Sequence, residues 1–207
     1  MAGIDDILAE QARRLAERES LQDGLAPVLE DFVARATVEQ AACFAAACAE
    51  RAAGIVLWNA ASEGRQAEAD VYLRAVEQLW TDPTQSPVVT QDDLQRLYEL
   101  SHYYEPGGKA AGFAELAARV LWSALAVTEK GEPSAARSVS STCLEIASGL
   151  EKATGTALEA DEAERQRTDM RNLLGDGSAE EPKATLREQS RAVGRDWLAL
   201  AQDYARS

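Results

Sequence analysis

The sequence predicts an all-α fold, a single bundle of eight or nine helices. Three observations carry this: Ala, Leu, Glu, Arg and Gln dominate the chain, apolar residues recur at three- and four-residue steps, and caps and breakers fall between those stripes. No stretch alternates Val, Ile or Thr with polar residues at period two, so no strand is expected.

The first stripe is Ile4, Ile7, Leu8, Ala12 and Leu15, one face of a helix over about residues 4–19 that ends at Gln22-Asp23-Gly24. Pro27 then suits a first helical turn, with Leu29, Phe32 and Val33 on the buried side of a short second helix. Thr37-Val38-Glu39-Gln40 reads as a capping box opening a long Ala-rich helix through Phe44, Ala47, Cys48, Ile55 and Trp58 to about Gly64. Its alanines let neighbouring backbones come close, which makes it the expected central helix. A fourth helix from about Glu68 carries Tyr72, Val76, Leu79 and Trp80 and stops at Thr81-Asp82-Pro83, because a residue before proline disfavours helical dihedrals.

Asp82 to Val89 holds two prolines and no periodicity and is read as a crossing loop. Thr90 with Asp93 forms a second capping box, and Leu94, Leu97, Tyr98 and Ser101 supply the inner face of the helix it opens. The pattern from Phe113 to Leu125 ends at Gly131, and Pro133 starts the next helix, striped by Val139, Cys143, Ile146, Ala147 and Leu150 and closed by Gly155. Thr156 with Glu159 suggests one more capping box, for a helix ending at Leu173-Leu174-Gly175. The last helix bears Leu186, Val193, Trp197, Ala201 and Tyr204 at helical spacing and is expected to dock. At 207 residues one domain is expected: an N-terminal extension over 1–35, a bundle core over 37–174 and a docking helix over 184–205.

The formal charge of −14 and a pI near 4.5 repel phosphates and anionic lipid, which argues against nucleic acid and membrane as partners. The N-terminus lacks a basic run before an apolar one, and a cytoplasmic location is expected. Cofactors are not expected. A carboxylate-bridged di-iron site needs two Glu-x-x-His pairs, whereas the chain has one histidine, His102, better read as a structural residue near a helix end than as an acid–base group. The three cysteines, Cys43, Cys48 and Cys143, sit in Ala-rich stretches and are read as core residues; Cys43 and Cys48, five apart on a helix, point roughly 140° from each other and do not suit a metal. No phosphate-cradling glycine loop or nucleophile motif occurs, so no enzyme is expected.

Two features remain. Arg51 lies one turn from Ala47 and Ile55, which leaves two readings: an inward guanidinium with a carboxylate partner, or a boundary residue whose stem packs while its head stays wet. Asp92, Arg96, Glu99 and Tyr103 recur at steps of four, three and four on the side away from Leu94 and Leu97, giving either a contact face for a protein partner or a solvated one.

The run from Gln40 through Phe44, Cys48, Glu50 and Arg51, followed by Ala75 to Trp80 and later by Ala124 to Gly131, resembles the YjaG-like family of small helical bacterial proteins of unknown function. The resemblance covers about residues 37–174. It implies an all-helical fold and carries over no active site; after Glu50-Arg51 this chain has Ala52-Ala53-Gly54 in place of the family's aromatic and proline. Acidity, helical build and the lack of catalytic motifs together lead to the expectation of a protein-binding module: an immunity protein that masks a basic toxin or effector domain. The alternative is a helical adaptor or regulatory protein, with a homodimer possible.

Overall fold

The computed structural model describes residues 24–83, 89, 90, 92, 93, 95, 96, 111–175 and 180–207. These form an all-helical bundle, with no strand among the described residues. Seven α-helices run through them: α1 (24–35), α2 (Val38–Ser62), α3 (Gln66–Thr81), α4 (Ala111–Lys130), α5 (Ala136–Thr154), α6 (Glu159–Leu173) and α7 (Glu180–Arg206). Against the eight or nine expected, the helix over 4–19 lies outside the described residues, and the one opened by Thr90 is described at only four helical positions.

The cap chemistry explains most boundaries. At the start of α2, Gln40 N–H donates to Thr37 Oγ1 at 3.2 Å while Thr37 N–H donates to Gln40 Oε1 at 2.9 Å, the reciprocal box. Thr90 and Asp93 make the same exchange at 3.0 and 3.1 Å. Gly64, Gly131 and Gly155 take positive φ, where a Cβ is disfavoured, and the last of them closes α5. Pro133 opens a short 3₁₀ turn that leads into α5.

The start of α6 departs from the sequence reading. Its N-cap is Leu158, two residues after Thr156, and no cap side chain serves it. Instead Glu151, on the last turn of α5, turns its Oε2 toward the orphan amides of Leu158 and Glu159 at 2.8 and 3.0 Å. A carboxylate at a helix N-terminus satisfies donors and complements the dipole together. Glu151→Ala is expected to cost about 1 kcal/mol in a urea denaturation, the usual loss for a cap; an unchanged midpoint would mean water replaces it at no cost.

α2 is the axis of the bundle, packed on α4, α7, α3, α5 and α6. Every residue from Ala41 to Ala49 is buried. One apolar core runs from Leu25 and Phe32 in α1 to Trp197 and Ala201 in α7, and the Phe32 and Phe44 rings meet at 5.5 Å. The C-terminal helix docks as expected, with Leu186, Trp197 and Ala201 buried and Tyr204 edge-on to Phe113 at 6.0 Å. By length and hydropathy alone α2 and α4 match membrane-crossing helices, yet 78% of the most apolar window of α2 is buried inside the bundle, as a core helix requires.

α2 and α7 cross at two glycines. A Cβ on Gly194 would sit 3.0 Å from the carbonyl oxygens of both Glu50 and Arg51, and one on Gly54 would sit 3.3 Å from the Gly194 oxygen. Backbone therefore lies on backbone at this point, and it fixes the depth at which Glu50 and Arg51 are held.

Candidate functional site

Glu50 and Arg51 are consecutive on α2, so they point to different sides of the helix, about 100° apart. Each organises a polar cluster.

Arg51 is turned inward and is 1% exposed. Its Nη1 donates to Asp169 Oδ2 at 2.8 Å, and its Nη2 lies 3.2 Å from Glu162 Oε1, both carboxylates standing on α6. Of the two sequence readings, the inward one with a carboxylate partner is the one the fold adopts. Nη2 also donates to the Cys48 sulfur at 3.2 Å. Burial opposes the charge on Arg51, but Glu162, Cys48 and Asp169 raise its pKa well above the ordinary value, so the guanidinium stays charged.

The network continues into α5. Gln166 donates to Glu162 Oε1 at 2.9 Å and accepts from Ser140 Oγ at 2.5 Å. The Cys143 thiol donates to the same Glu162 oxygen at 3.3 Å and lies 4.0 Å from the Cys48 carbonyl oxygen. Burial, then the Cys48 thiol and the Glu162 carboxylate, push the Cys143 thiol well above the usual range, so it is a donor and not a nucleophile at neutral pH. Arg165 reaches Glu162 Oε2 at 3.8 Å, so two guanidiniums face two carboxylates across α2 and α6.

Glu50 heads outward along the α3–α7 side. Its Oε2 accepts from Trp80 Nε1 at 2.8 Å, and its Oε1 accepts from Arg191 Nε at 2.8 Å. Arg187 lies 3.6 Å from Glu50, stacks 5.7 Å above the Trp80 ring and forks onto Glu77. This second cluster locks α7 to α2 and α3 by pairing, cation–π contact and hydrogen bonding at once.

Between α6 and α7, which touch little, lies an open cleft of about 550 Å³. Arg51 and Asp169 form its floor, Asp161, Glu164, Arg165 and Thr168 one wall, and Leu186, Gln189, Ala192 and Val193 the other. A second hollow of similar volume shares Asp169, Leu186 and Gln189 with it and extends the cleft to Gly175.

The expected contact face is placed only in part. Asp92 and Arg96 are exposed, and the neighbouring Asp93 pairs with Arg74 of α3 at 3.4 Å. Glu99 and Tyr103 lie outside the described residues, as does His102. All three cysteines are buried. Cys43 and Cys48 diverge as their spacing requires; the partner of Cys48 is Cys143, which helix spacing alone does not reveal. Sequence reasoning also missed Glu162 and Asp169. One signal was available, since Glu162, Gln166 and Asp169 occupy the i, i+4, i+7 stripe of α6, where a docking helix ordinarily carries apolar residues.

No protein-family model matches the chain, and no curated protein and no solved structure is significantly similar to it.

Proposed function

We propose that this protein is a protein-binding module of the bacterial cytoplasm that acts by covering a basic surface of a partner, as an immunity protein covers a toxin or effector domain. The observation that carries the reading is the charge of −14 on a bundle whose buried Arg51 pairs inward with Glu162 and Asp169. Among the described residues, carboxylates such as Glu39, Asp70 and Asp92 are exposed, and a net negative charge of this size gives a field that accelerates encounter with a cationic protein and disfavours phosphates. Asp92, Arg96, Glu99 and Tyr103 form the contact face: carboxylates set register and the tyrosine ring supplies the buried anchor that a tight complex needs. Exposure of Asp92 and Arg96 agrees with this. The resemblance to the YjaG-like family adds the expectation of a helical protein with no active site of its own.

The test is capture of the partner from the native host, followed by co-expression. Asp92→Lys with Glu99→Lys should slow association and weaken protection in cells while leaving helix content unchanged. Tyr103→Ala should speed dissociation by removing about 1–3 kcal/mol of packing. A partner whose binding ignores all three positions rejects this face, and a partner with an acidic contact surface rejects the reading itself.

A further inference from the structure

The Arg51 network holds an arrangement that pairing α2 with α6 does not require. Cys48 of α2, Cys143 of α5 and Glu162 of α6 converge so that their two sulfurs and one carboxylate oxygen lie within 4.8 Å of one another, and all three residues are fully buried. Ion pairing of Arg51 needs only the carboxylates; it does not need two thiols turned to the same point from separate helices. The oxygen of Glu162 that faces the Cys143 sulfur is Oε1, at 3.3 Å, while the buried Oε2 accepts no hydrogen bond and has Arg165 Nη1 at 3.8 Å.

We propose that Cys48, Cys143 and Glu162 form a site for a thiophilic divalent cation, zinc in the first instance. Two thiolates and one carboxylate suit this class and not magnesium or calcium, which take oxygen ligands alone. With bonds of about 2.3 Å to sulfur and about 2.1 Å to oxygen, the ligand atoms of such a site stand roughly 3.5–4 Å apart. The cluster therefore needs to contract by no more than about 1 Å. As two metal–sulfur bonds form, two S–H bonds break and their protons pass to water, so a dication replaces two protons and the buried charge is unchanged. The bound unit of one dication, two thiolates and one carboxylate carries a single negative charge. Arg51 Nη2, at 3.2 Å from both Cys48 Sγ and Glu162 Oε1, is the outer donor that compensates it, and Gln166 is a second. Entry is short, because Arg51 and Asp169 are also the floor of the open cleft.

The site is independent of the partner-binding reading and joins three helices, so its consequence is a staple across the core. The test uses the full chain, reduced and stripped of metal, titrated with cadmium and, separately, cobalt. One equivalent of cadmium should raise the ultraviolet cadmium–thiolate band, and cobalt should give thiolate-to-cobalt charge-transfer bands. Cys48→Ala and Cys143→Ala should each abolish both signals, Cys43→Ala should keep them, and Glu162→Gln, which removes the anionic ligand, should weaken affinity. Cadmium held by surface carboxylates gives no thiolate band, which separates the site from general binding to an acidic chain. In the unaltered protein, which raises no question of folding, zinc should lift the thermal midpoint and a chelator should return it. Absence of a thiolate band from the folded wild type, or a band that survives at both Cys48 and Cys143 variants or depends on Cys43, overturns the proposal.

Discussion

Arg51→Met is expected to lower stability by about 3–5 kcal/mol, the largest effect of any single change considered, because it leaves buried carboxylates without their cation. Asp169 loses its 2.8 Å donor, and Glu162 keeps Arg165 at 3.8 Å, Gln166 and the Cys143 thiol. For a chain of this size such a loss lowers the thermal midpoint by roughly 10 °C. The companion experiment is Arg51→Met with Glu162→Leu and Asp169→Leu. Replacing a whole buried ionic group by apolar residues of similar volume is often neutral, so the triple variant should recover most of the loss. A single variant within about 1 kcal/mol of wild type would mean that water from the adjoining cleft already solvates the cluster.

Gly194→Val should be the next most damaging change, at about 2 kcal/mol by overpacking. The site is set by backbone: the added Cβ would meet the Glu50 and Arg51 carbonyl oxygens at 3.0 Å and the Arg51 Cα at 3.4 Å, and backbone of a central helix cannot rotate away as a side chain can. A helix-interior glycine otherwise costs about 1 kcal/mol relative to alanine, so its presence at the crossing is a local penalty offset by close packing of α7. Thermal melts of Gly194→Ala and Gly194→Val should separate the two terms: the alanine variant gains the most propensity while meeting the same clash, and the valine variant adds bulk with a smaller propensity gain.

The helices were legible because their determinants are local. A capping box is complete within four residues, as at Thr37 and Gln40, and the stops at Gly64, Gly131 and Gly155 each depend on one φ angle. Reading Thr156 as the cap of α6 failed because the amides it was assigned went to Glu151, on the preceding helix, and no rule of spacing favours one carboxylate over a nearer hydroxyl across a turn.

The polar core was half legible. The place of Arg51 on the stripe with Ala47 and Ile55 leaves an inward and a boundary reading equally open, and the partner that decides between them, Asp169, lies 118 residues away in sequence. Likewise Cys48 and Cys143 are 95 residues apart and meet only because α2 and α5 pack together. Comparing Cys43 with Cys48 answered a question about one helix, whereas the convergence belongs to three. The proposed contact face at Asp92 and Arg96 is different again, since surface residues owe no partner to the fold and their role is visible only through what they meet.

That meeting is the most direct measure of the account. With the partner captured from the native host, the association rate constant should be followed as ionic strength rises. An acidic module seeking a basic surface predicts a steep fall in association rate with salt, a nearly constant dissociation rate, and loss of most of the salt dependence when Asp92 and Glu99 are both changed to Lys. An association rate that is flat in salt for the wild type would contradict the claim that charge directs this protein to its partner.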